Sequence, residues 1–286
     1  MELSFVVIIL IILIIGLLIA LYISYRYAPI FVLIRHSIFG RAAKREIEAR
    51  FLNIDPDAIR AKLKELSHGT TRSVAHSVAH SVTQEYKPTL LRRTVYALEG
   101  GYVRIRTEPR DGRMRVVMTS KIYPRDRDEA KTAERAAPVE TEVVLSKDET
   151  YESAREFMAS IGLVEKAQHE QFREEWRIDG EDGDLSCMID IDWLPGLMPS
   201  LEIECGDDQS VRAIAAQLGL DYDSAVFGAY AKAYSRAYGM VDDDINKRIS
   251  ELKFATIAQV LEPYVKKNHD EFKRACEIRS PAKVLA

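Results

Sequence analysis

The sequence predicts an α+β protein, in which one membrane-spanning helix precedes a domain of antiparallel strands with helices around them. Three observations predict this class. An uninterrupted apolar run lies near the N-terminus, polar and apolar residues then alternate with a period of two, and beyond Gly206 the period changes to about 3.6 residues. With 286 residues and 47% hydrophobic content, the chain can bury at least one sizeable core.

The N-terminal run predicts a single-pass membrane anchor. Every residue from Phe5 to Ile23 is apolar or glycine, and about 19 such residues form a helix of roughly 28 Å, which matches a hydrocarbon core. A cleaved signal peptide is the alternative, but the run is too long and no basic stretch precedes it. Basic residues follow the run and only Glu2 is charged before it, which predicts a bilayer partner and a main domain facing the cytoplasm. These basic residues are Arg26, Arg35, Arg41, Lys44 and Arg45.

The segment after Pro29 is apolar but too short to span a membrane. We interpret it as an interfacial helix, with a second buried turn of the anchor as the alternative. The predicted boundaries are therefore residues 1–28 for the anchor and 29–43 for the juxtamembrane linker.

Net charge and cysteine content exclude several function classes. A net charge of −4 provides no general attraction for long nucleic acids, so an anion site needs local clustering of cations. The three cysteines, Cys187, Cys205 and Cys276, are far apart and lack ligand-like spacing. They predict reduced thiols, with neither a disulfide framework nor a zinc site.

The main domain begins with a strand, predicted over residues 44–53. In the stretch Glu46-Ile47-Glu48-Ala49-Arg50, the charged residues share one face of an extended chain and the apolar residues share the other. Next, Asp55 or Asp57 caps a helix that has Pro56 in its first turn and runs to about Leu66.

A tandem tetrapeptide follows, Ser73-Val74-Ala75-His76-Ser77-Val78-Ala79-His80. Two histidines four residues apart on a helix could bind a metal, but no third ligand is evident. A repeated tetrapeptide in a loop is the favoured interpretation.

Turn residues separate the later elements. Pro109 to Gly112 joins two antiparallel strands, Gly162 ends a helix, and Gly180 to Gly183 joins two further strands. Beyond Gly206, Ser210 caps the first of three helices. The predicted strands span residues 94–98, 102–108, 113–123, 139–145, 164–169, 172–179, 186–192 and 201–205, and the helices span residues 148–161, 210–219, 223–238 and 242–268. Pro263 is a position at which the last helix is expected to kink or end.

Charged residues are spaced two apart on several of these strands, and their signs are segregated. Some strands carry only carboxylates and others only cations. A solvated face produces such alternation, but like charges on one face also suit a lumen in which metal relieves the carboxylates and polyphosphate relieves the arginines. The sets are Glu46/Glu48/Arg50, Arg104/Arg106, Arg113/Arg115/Lys121, Glu140/Glu142, Asp190/Asp192 and Glu202/Glu204.

These sets resemble, in order, the motifs of the CYTH family, which is named for class IV adenylyl cyclases and thiamine triphosphatases and includes inorganic triphosphatases. The stretch Glu46 to Arg50 is similar to its E-x-E-x-K signature, although arginine replaces lysine. Phe172 stands where a lysine often precedes the arginine of another motif. The other matching stretches are Val103 to Arg106, Met118 to Lys121, Glu140 to Glu142, Arg173 to Arg177, Ile189 to Leu197 and Leu201 to Glu204.

The resemblance implies an eight-stranded antiparallel β-barrel, the triphosphate tunnel, with helices outside, over residues 44–240, followed by a helical extension over residues 241–286. It also implies the site. Mg²⁺ or Mn²⁺ would be bound by Glu46, Glu48, Glu202 and Glu204, and the triphosphate by Arg50, Arg104, Arg106, Lys121 and Arg173. Glu140 and Glu142 would assist the metal or orient water, and Asp192 would lie near the metal.

The implied function is a membrane-anchored, metal-dependent hydrolase of a triphosphate-bearing small molecule, such as a nucleotide, thiamine triphosphate or inorganic tripolyphosphate. Positioning and charge neutralisation supply most of the catalysis in such a site. Two alternatives use the same residues. One is a class IV-like adenylyl cyclase, and the other is a sensor that binds a triphosphate or polyphosphate without turnover.

Overall fold

A computed structural model describes residues 47–68, 79–110, 112–122, 139–180, 186–228 and 230–278. All of them belong to one compact unit, Arg45–Ala286. The predicted boundary at residue 240 stays a prediction.

Eight strands form one antiparallel sheet in the order β1-β8-β7-β6-β2-β3-β4-β5, and a two-residue strand, β9, pairs in parallel with β6. Two strands are much longer than the sequence predicts. β2 extends well before residue 94, and the two strands predicted over residues 164–179 form one strand, β6. The bounds are β1 Ile47–Leu52, β2 Ala79–Leu98, β3 Gly101–Arg110, β4 Arg113–Ile122, β5 Val139–Val144, β6 Glu165–Gly180, β7 Ser186–Trp193, β8 Ser200–Cys205 and β9 Glu251–Leu252.

The predicted eight-stranded barrel is wrong, because the sheet is not closed. No pairing joins β1 to β5 in the described part of the chain. The free edge of β1 is instead used by a later segment: Arg50 N donates to Val226 O at 3.0 Å, and Val226 N donates to Arg50 O at 2.8 Å. Because these groups of β1 already have partners, they are not available to β5.

Side chains cap the first three α-helices. Asp55 accepts from the backbone N–H groups of Asp57 and Ala58, and Thr150 caps the second helix. Asp207, rather than the predicted Ser210, caps the third. The α-helices are α1 Pro56–His68, α2 Tyr151–Ser160, α3 Asp208–Gln217, α4 Ala231–Tyr238, α5 Ile257–Leu261 and α6 His269–Cys276.

The long helix predicted over residues 242–268 is wrong. That region contains a π-helical turn, Asp244–Arg248, then β9, α5 and a 3₁₀ turn, Glu262–Tyr264. The helix predicted over residues 223–238 is also shorter, since a 3₁₀ turn, Tyr222–Ser224, is separate from α4. Pro263 in the 3₁₀ turn cannot donate to a helical ladder, and Asn268 adopts a left-handed conformation with φ 58°. Apolar periodicity alone did not reveal these breaks.

The apolar face of the sheet forms the core. Ile189 and Ile203 on neighbouring strands pack with Leu63 of α1 and Ile214 of α3, and all four are buried. A smaller cluster lies between α2 and the β3–β4 pair, and α4 to α6 form a third cluster with Leu194 and Leu197. Helices therefore cover the apolar face of the sheet, and the other face carries the charged side chains together with a few apolar ones.

The membrane predictions are corrected. The predicted span, the interfacial helix and most of the histidine tandem lie outside the described residues. Within the described ranges, no helix has the length and apolar character needed to cross a bilayer. The predictions of a transmembrane anchor, a lipid partner and a membrane location therefore have no support in the described residues.

The cysteine prediction is also wrong, because Cys187 and Cys205 form a disulfide. Met188 of β7 lies opposite Glu204 of β8, so the next positions along the two antiparallel strands bring the cysteines together, with their Cα atoms 4.5 Å apart. The proximity comes from strand pairing, which cysteine spacing in the sequence does not reveal.

Candidate functional site

Strand register places the predicted charged residues on one face of the sheet, opposite the core. On β1 and β8, Glu48 lies opposite Glu204 and Arg50 opposite Glu202. Charged residues of the other strands lie on this same face, because side chains at paired positions share a face. The further pairs are Asp190 with Glu202, Arg173 with Asp192, Arg104 with Thr119, Thr119 with Glu142, and Lys121 with Glu140.

Glu48, Glu202 and Glu204 form an acidic cluster, in which one carboxylate oxygen from each lies within 4.8 Å of the others. Burial, and secondly the charge of Glu202, raise the pKa of Glu48 to about 7. Burial opposes ionisation of Glu202 as well, but Arg50 and Arg173 hold its pKa well below its usual range. Three converging carboxylates supply the hard oxygen ligands that Mg²⁺ and Mn²⁺ prefer, so the residues present fit such an ion. Glu46, the fourth predicted ligand, lies outside the described residues.

Arg173 and Arg50 are bound to carboxylates. Arg173 Nε lies 2.7 Å from Asp192 Oδ1, its Nη2 lies 2.8 Å from Asp192 Oδ2 and 3.2 Å from Glu202 Oε2, and its Nη1 contacts Asp190. Arg50 Nη1 donates to Asp192 Oδ2 at 3.0 Å and to Ser200 Oγ at 3.2 Å, and its Nη2 contacts Glu202. Two residues predicted to bind phosphate therefore also hold the acidic side chains in place.

Arg104 and its neighbours form a basic cluster on β3 and β4. Arg104 is 7% exposed, and its Nε is buried without a hydrogen-bond partner in the described residues. Its Nη2 lies 3.3 Å from Thr119 Oγ1 and 3.6 Å from Glu140 Oε1. Burial, followed by the charges of Arg106 and Arg93, lowers the pKa of Arg104 to about 9. A buried guanidinium with a vacant donor is a favourable place for an anion.

Glu140 and Glu142 are counter-ions of this basic cluster. Lys121 Nζ lies 2.7 Å from Glu140 Oε2, and Arg106 Nη2 lies 3.0 Å from Glu142 Oε2. Both carboxylates are on β5, away from the acidic cluster in strand order. The structure therefore places both carboxylates among the predicted phosphate-binding residues.

The charged face is curved, although the sheet is open. Lys121 on β4 is near enough to Glu48 on β1 and to Glu202 on β8 to lower the pKa of each, after the larger effects of burial and nearer charges. Since β4 and β1 lie near opposite ends of the strand order, the sheet must curl so that the acidic and basic clusters approach each other.

Sequence reasoning missed two polar residues on this face, Arg93 and Gln171. Arg93 lies opposite Arg106, and its Nη2 donates to Gln171 Oε1 at 2.5 Å. Leu91 and Val95 flank it at the same-face positions, so Arg93 shows no charge alternation within its own strand. Its register with β3 is the signal that identifies it.

Comparisons with known proteins find similar solved structures only at low sequence identity. No family model and no curated protein matches the chain. Solved structures similar to it include a putative adenylate cyclase from Bacillus halodurans (16% identity, TM-score 0.37, 63% of this chain and 92% of that one). They also include a putative adenylyl cyclase from Hippeastrum with a dominant triphosphatase activity (17%, 0.39, 67% and 94%) and the PH1819 protein from Pyrococcus horikoshii OT3 (17%, 0.44, 67% and 98%).

With TM-scores below 0.5, these likenesses do not assign a role to any residue. The functional proposal depends on the geometry of the charged face.

Proposed function

We propose that this protein is a divalent-metal-dependent hydrolase of triphosphate-bearing small molecules. One observation carries the proposal: three converging carboxylates and a cluster of cationic side chains lie on the same curved face of the sheet. Triphosphate transfer needs both groups, because a metal and cationic side chains must neutralise the same chain of phosphates.

The acidic cluster is the proposed metal site. Glu48, Glu202 and Glu204 would hold Mg²⁺ or Mn²⁺, with Glu46 as a further candidate ligand. When bound, such an ion neutralises charge on phosphoryl oxygens and lowers the pKa of a coordinated water. Asp192 is fully buried between Arg50 and Arg173, so we assign it a positioning role: it fixes the two arginines that contact Glu202.

The basic cluster is the proposed phosphate site. Arg104, Arg106 and Lys121 would donate to phosphate oxygens, and Arg50 and Arg173 would contribute charge from the metal side. In the structure, Glu140 forms an ion pair with Lys121, and Glu142 forms one with Arg106. A phosphate that displaced them would leave these carboxylates beside the substrate, where they could orient the attacking water.

Product analysis tests the proposal. The purified full-length chain would be incubated with ATP, thiamine triphosphate and tripolyphosphate, each with Mg²⁺ or Mn²⁺ and with EDTA. Orthophosphate release that requires the metal is the expected result. Pyrophosphate together with a cyclic nucleotide would replace the hydrolase with a cyclase, and tight binding without any product would replace it with a sensor.

A matched pair of variants tests the assigned metal site. Glu202→Gln keeps the shape of the side chain but removes its charge, so we expect a loss of turnover of roughly a hundredfold, the upper end of the usual cost of mutations around a metal site. Glu65→Gln makes the same change at an exposed position of α1 and should retain activity. Full activity of Glu202→Gln would show that the metal is held elsewhere.

A further inference from the structure

Arg93 and Gln171 lie together on the charged face, outside every motif of the family resemblance. Arg93 is on β2, opposite Arg106 of β3 and opposite His169 of β6. The preceding residue, Arg92, points to the other face and pairs with Glu152 at 3.7 Å. Only one of these adjacent arginines therefore reaches the site.

The side chains around Arg93 offer more hydrogen-bond donors than acceptors. The one hydrogen bond of its guanidinium within the described ranges goes to Gln171 Oε1, and no carboxylate there lies within ion-pair distance of it. Gln171 is 5% exposed, and its Nε2 is buried with no hydrogen-bond partner among the described residues. Arg104 Nε, from the neighbouring strand, is also buried without a hydrogen-bond partner among the described residues. Buried N–H donors without acceptors are costly, and an anion with several oxygens would satisfy them.

Repulsion between the arginines adds to this cost. Burial, and then the charges of Arg173 and Arg106, lower the pKa of Arg93. Like charges at directly opposed positions, such as Arg93 and Arg106, destabilise a pair of strands unless an opposite charge lies between them. Among the described residues, Glu108 and Glu142 form ion pairs with Arg106, and no carboxylate forms an ion pair with Arg93.

The other neighbours of Arg93 do not supply that charge. Tyr230 Oη lies 2.6 Å from His169 Nε2, so the phenol and the imidazole are occupied with each other. Burial, and then Arg93, lower the pKa of His169 to about 3, which keeps the ring neutral near pH 7. This neutral pair forms one wall beside the guanidinium, with Tyr234 and Leu194 close by.

We propose that Arg93, oriented by Gln171, is a specificity-determining residue that binds a phosphoryl group of the substrate alongside Arg104. The inference rests on the proposed function and adds a residue to it. Arg93 is on β2, three strands from the metal ligand Glu202 on β8. It is also seven residues along β2 from Tyr86, the position level with Glu202 through the pairs with Glu175 and Asp190. The charge of Arg173, which contacts Glu202, still acts on Arg93. Arg93 therefore contacts the phosphoryl group farthest from the metal, so a tripolyphosphate reaches it better than a pyrophosphate.

Binding without turnover tests this role. Isothermal titration calorimetry of the full-length chain with tripolyphosphate in EDTA would compare wild type, Arg93→Gln and Arg92→Gln. Losing a charge-assisted contact should weaken tripolyphosphate binding roughly ten- to a hundredfold in Arg93→Gln. Arg92→Gln removes the same charge from the adjacent residue and should stay within about twofold of wild type. Gln171→Leu should weaken binding less than Arg93→Gln, because it removes only the group that orients the guanidinium.

Two comparisons make the result decisive. With Mg²⁺ present, the KM for tripolyphosphate should rise more in Arg93→Gln than the inhibition constant of pyrophosphate as a competitor does, and equal rises would overturn the assigned position. Thermal unfolding of ligand-free Arg93→Gln should match wild type or occur at a higher temperature, since repulsion is relieved. Equal affinity in wild type and Arg93→Gln, or equal losses in both arginine variants, would overturn the inference. If wild type hydrolyses triphosphates while Arg93→Gln is unaffected, the inference alone fails. If wild type neither binds nor hydrolyses them, the proposed function fails.

Discussion

Arg173 and Asp192 form a bidentate ion pair across β6 and β7, with Nε to Oδ1 at 2.7 Å and Nη2 to Oδ2 at 2.8 Å. The carboxylate is fully buried, and Arg50 from β1 binds the same Oδ2 at 3.0 Å. One aspartate thus links two arginines that come from strands far apart in the sequence. Through Glu202, both arginines reach the acidic cluster.

Asp192→Asn should destabilise the fold and disorganise the acidic cluster. Breaking a buried pair leaves uncompensated charge, and Arg173 keeps Asp190 and Glu202 as partners, so we expect the lower end of the usual cost, about 3 kcal/mol in the free energy of unfolding. Urea unfolding measures it. Asp179→Asn is the matched control, because its ion pair with Arg177 at 2.9 Å is far more exposed and should contribute less than about 1 kcal/mol. Equal effects of the two variants would contradict the linking role of Asp192.

Arg50→Lys restores the residue of the family signature but should weaken metal binding. A lysine keeps the charge, yet it cannot contact Asp192, Ser200 and Glu202 together as the planar guanidinium does. Loss of such support for a ligand typically costs roughly tenfold or more in metal affinity. Electron paramagnetic resonance of free Mn²⁺ measures that affinity directly, without turnover.

Arg212→Lys provides the control for this substitution. Arg212 is an exposed residue of α3, which packs on the apolar face of the sheet, and its ion pair is with Asp208 of the same helix. Its Mn²⁺ affinity should equal that of wild type. Unchanged Mn²⁺ affinity in Arg50→Lys, together with weaker tripolyphosphate binding, would show that Arg50 contacts phosphate instead of supporting Glu202.

Local patterns predicted the charged face well. Alternation within single strands placed Glu48 with Arg50, Arg104 with Arg106 and Glu202 with Glu204, and the register confirms that each pair shares a face. Alternation needs only the period of an extended chain, which every strand has. The same patterns could not specify which strands are neighbours. Arg93 and Gln171 were missed for that reason, since only pairing of β2 with β3 and β6 gives them a role.

Sheet closure and the C-terminal region were not predictable for a related reason. Closure depends on what occupies the edge of β1, and the pairing of Arg50 with Val226 joins residues far apart in the chain. In the C-terminal region, apolar periodicity extended across breaks that follow from Pro263 and from the left-handed Asn268. Tertiary packing of short segments overrides a periodicity that describes one long helix equally well.

The free energy of unfolding should depend on pH through His169. Its pKa is lowered from an ordinary value of 6.5 to about 3 in the folded protein, mainly by burial. Between these values the unfolded chain binds the extra proton, so stability should rise with pH across this window and become constant, for this residue, above about 6.5. His169 alone should lower the free energy of unfolding by about 2 kcal/mol at pH 5 relative to pH 7. Glu48, whose pKa is raised to about 7 in the folded protein, should act in the opposite direction over much of this window.

Urea unfolding at several pH values checks this slope. Relative to wild type, His169→Gln should gain about 2 kcal/mol in the free energy of unfolding at pH 5 compared with pH 7, because Glu48 contributes equally to both proteins. His269→Gln changes an exposed histidine of α6 and should keep the slope of wild type. An unchanged slope in His169→Gln would show that another group controls stability in this window.

Reduction of the disulfide between Cys187 and Cys205 should destabilise the protein. The cross-link joins residues 18 apart in the sequence on neighbouring strands of the core, and a loop of that size typically contributes about 3 kcal/mol by restricting the unfolded chain. Urea unfolding of wild type with and without dithiothreitol measures the effect, with thiol titration to confirm reduction. The Cys187→Ala/Cys205→Ala variant should be less stable than oxidised wild type and insensitive to the reductant. If fully reduced wild type unfolds at the same urea concentration as the oxidised protein, the cross-link adds no stability.

Because Cys205 directly follows Glu204, Mn²⁺ titration of the same reduced sample also shows whether the bond between β7 and β8 holds that ligand in place.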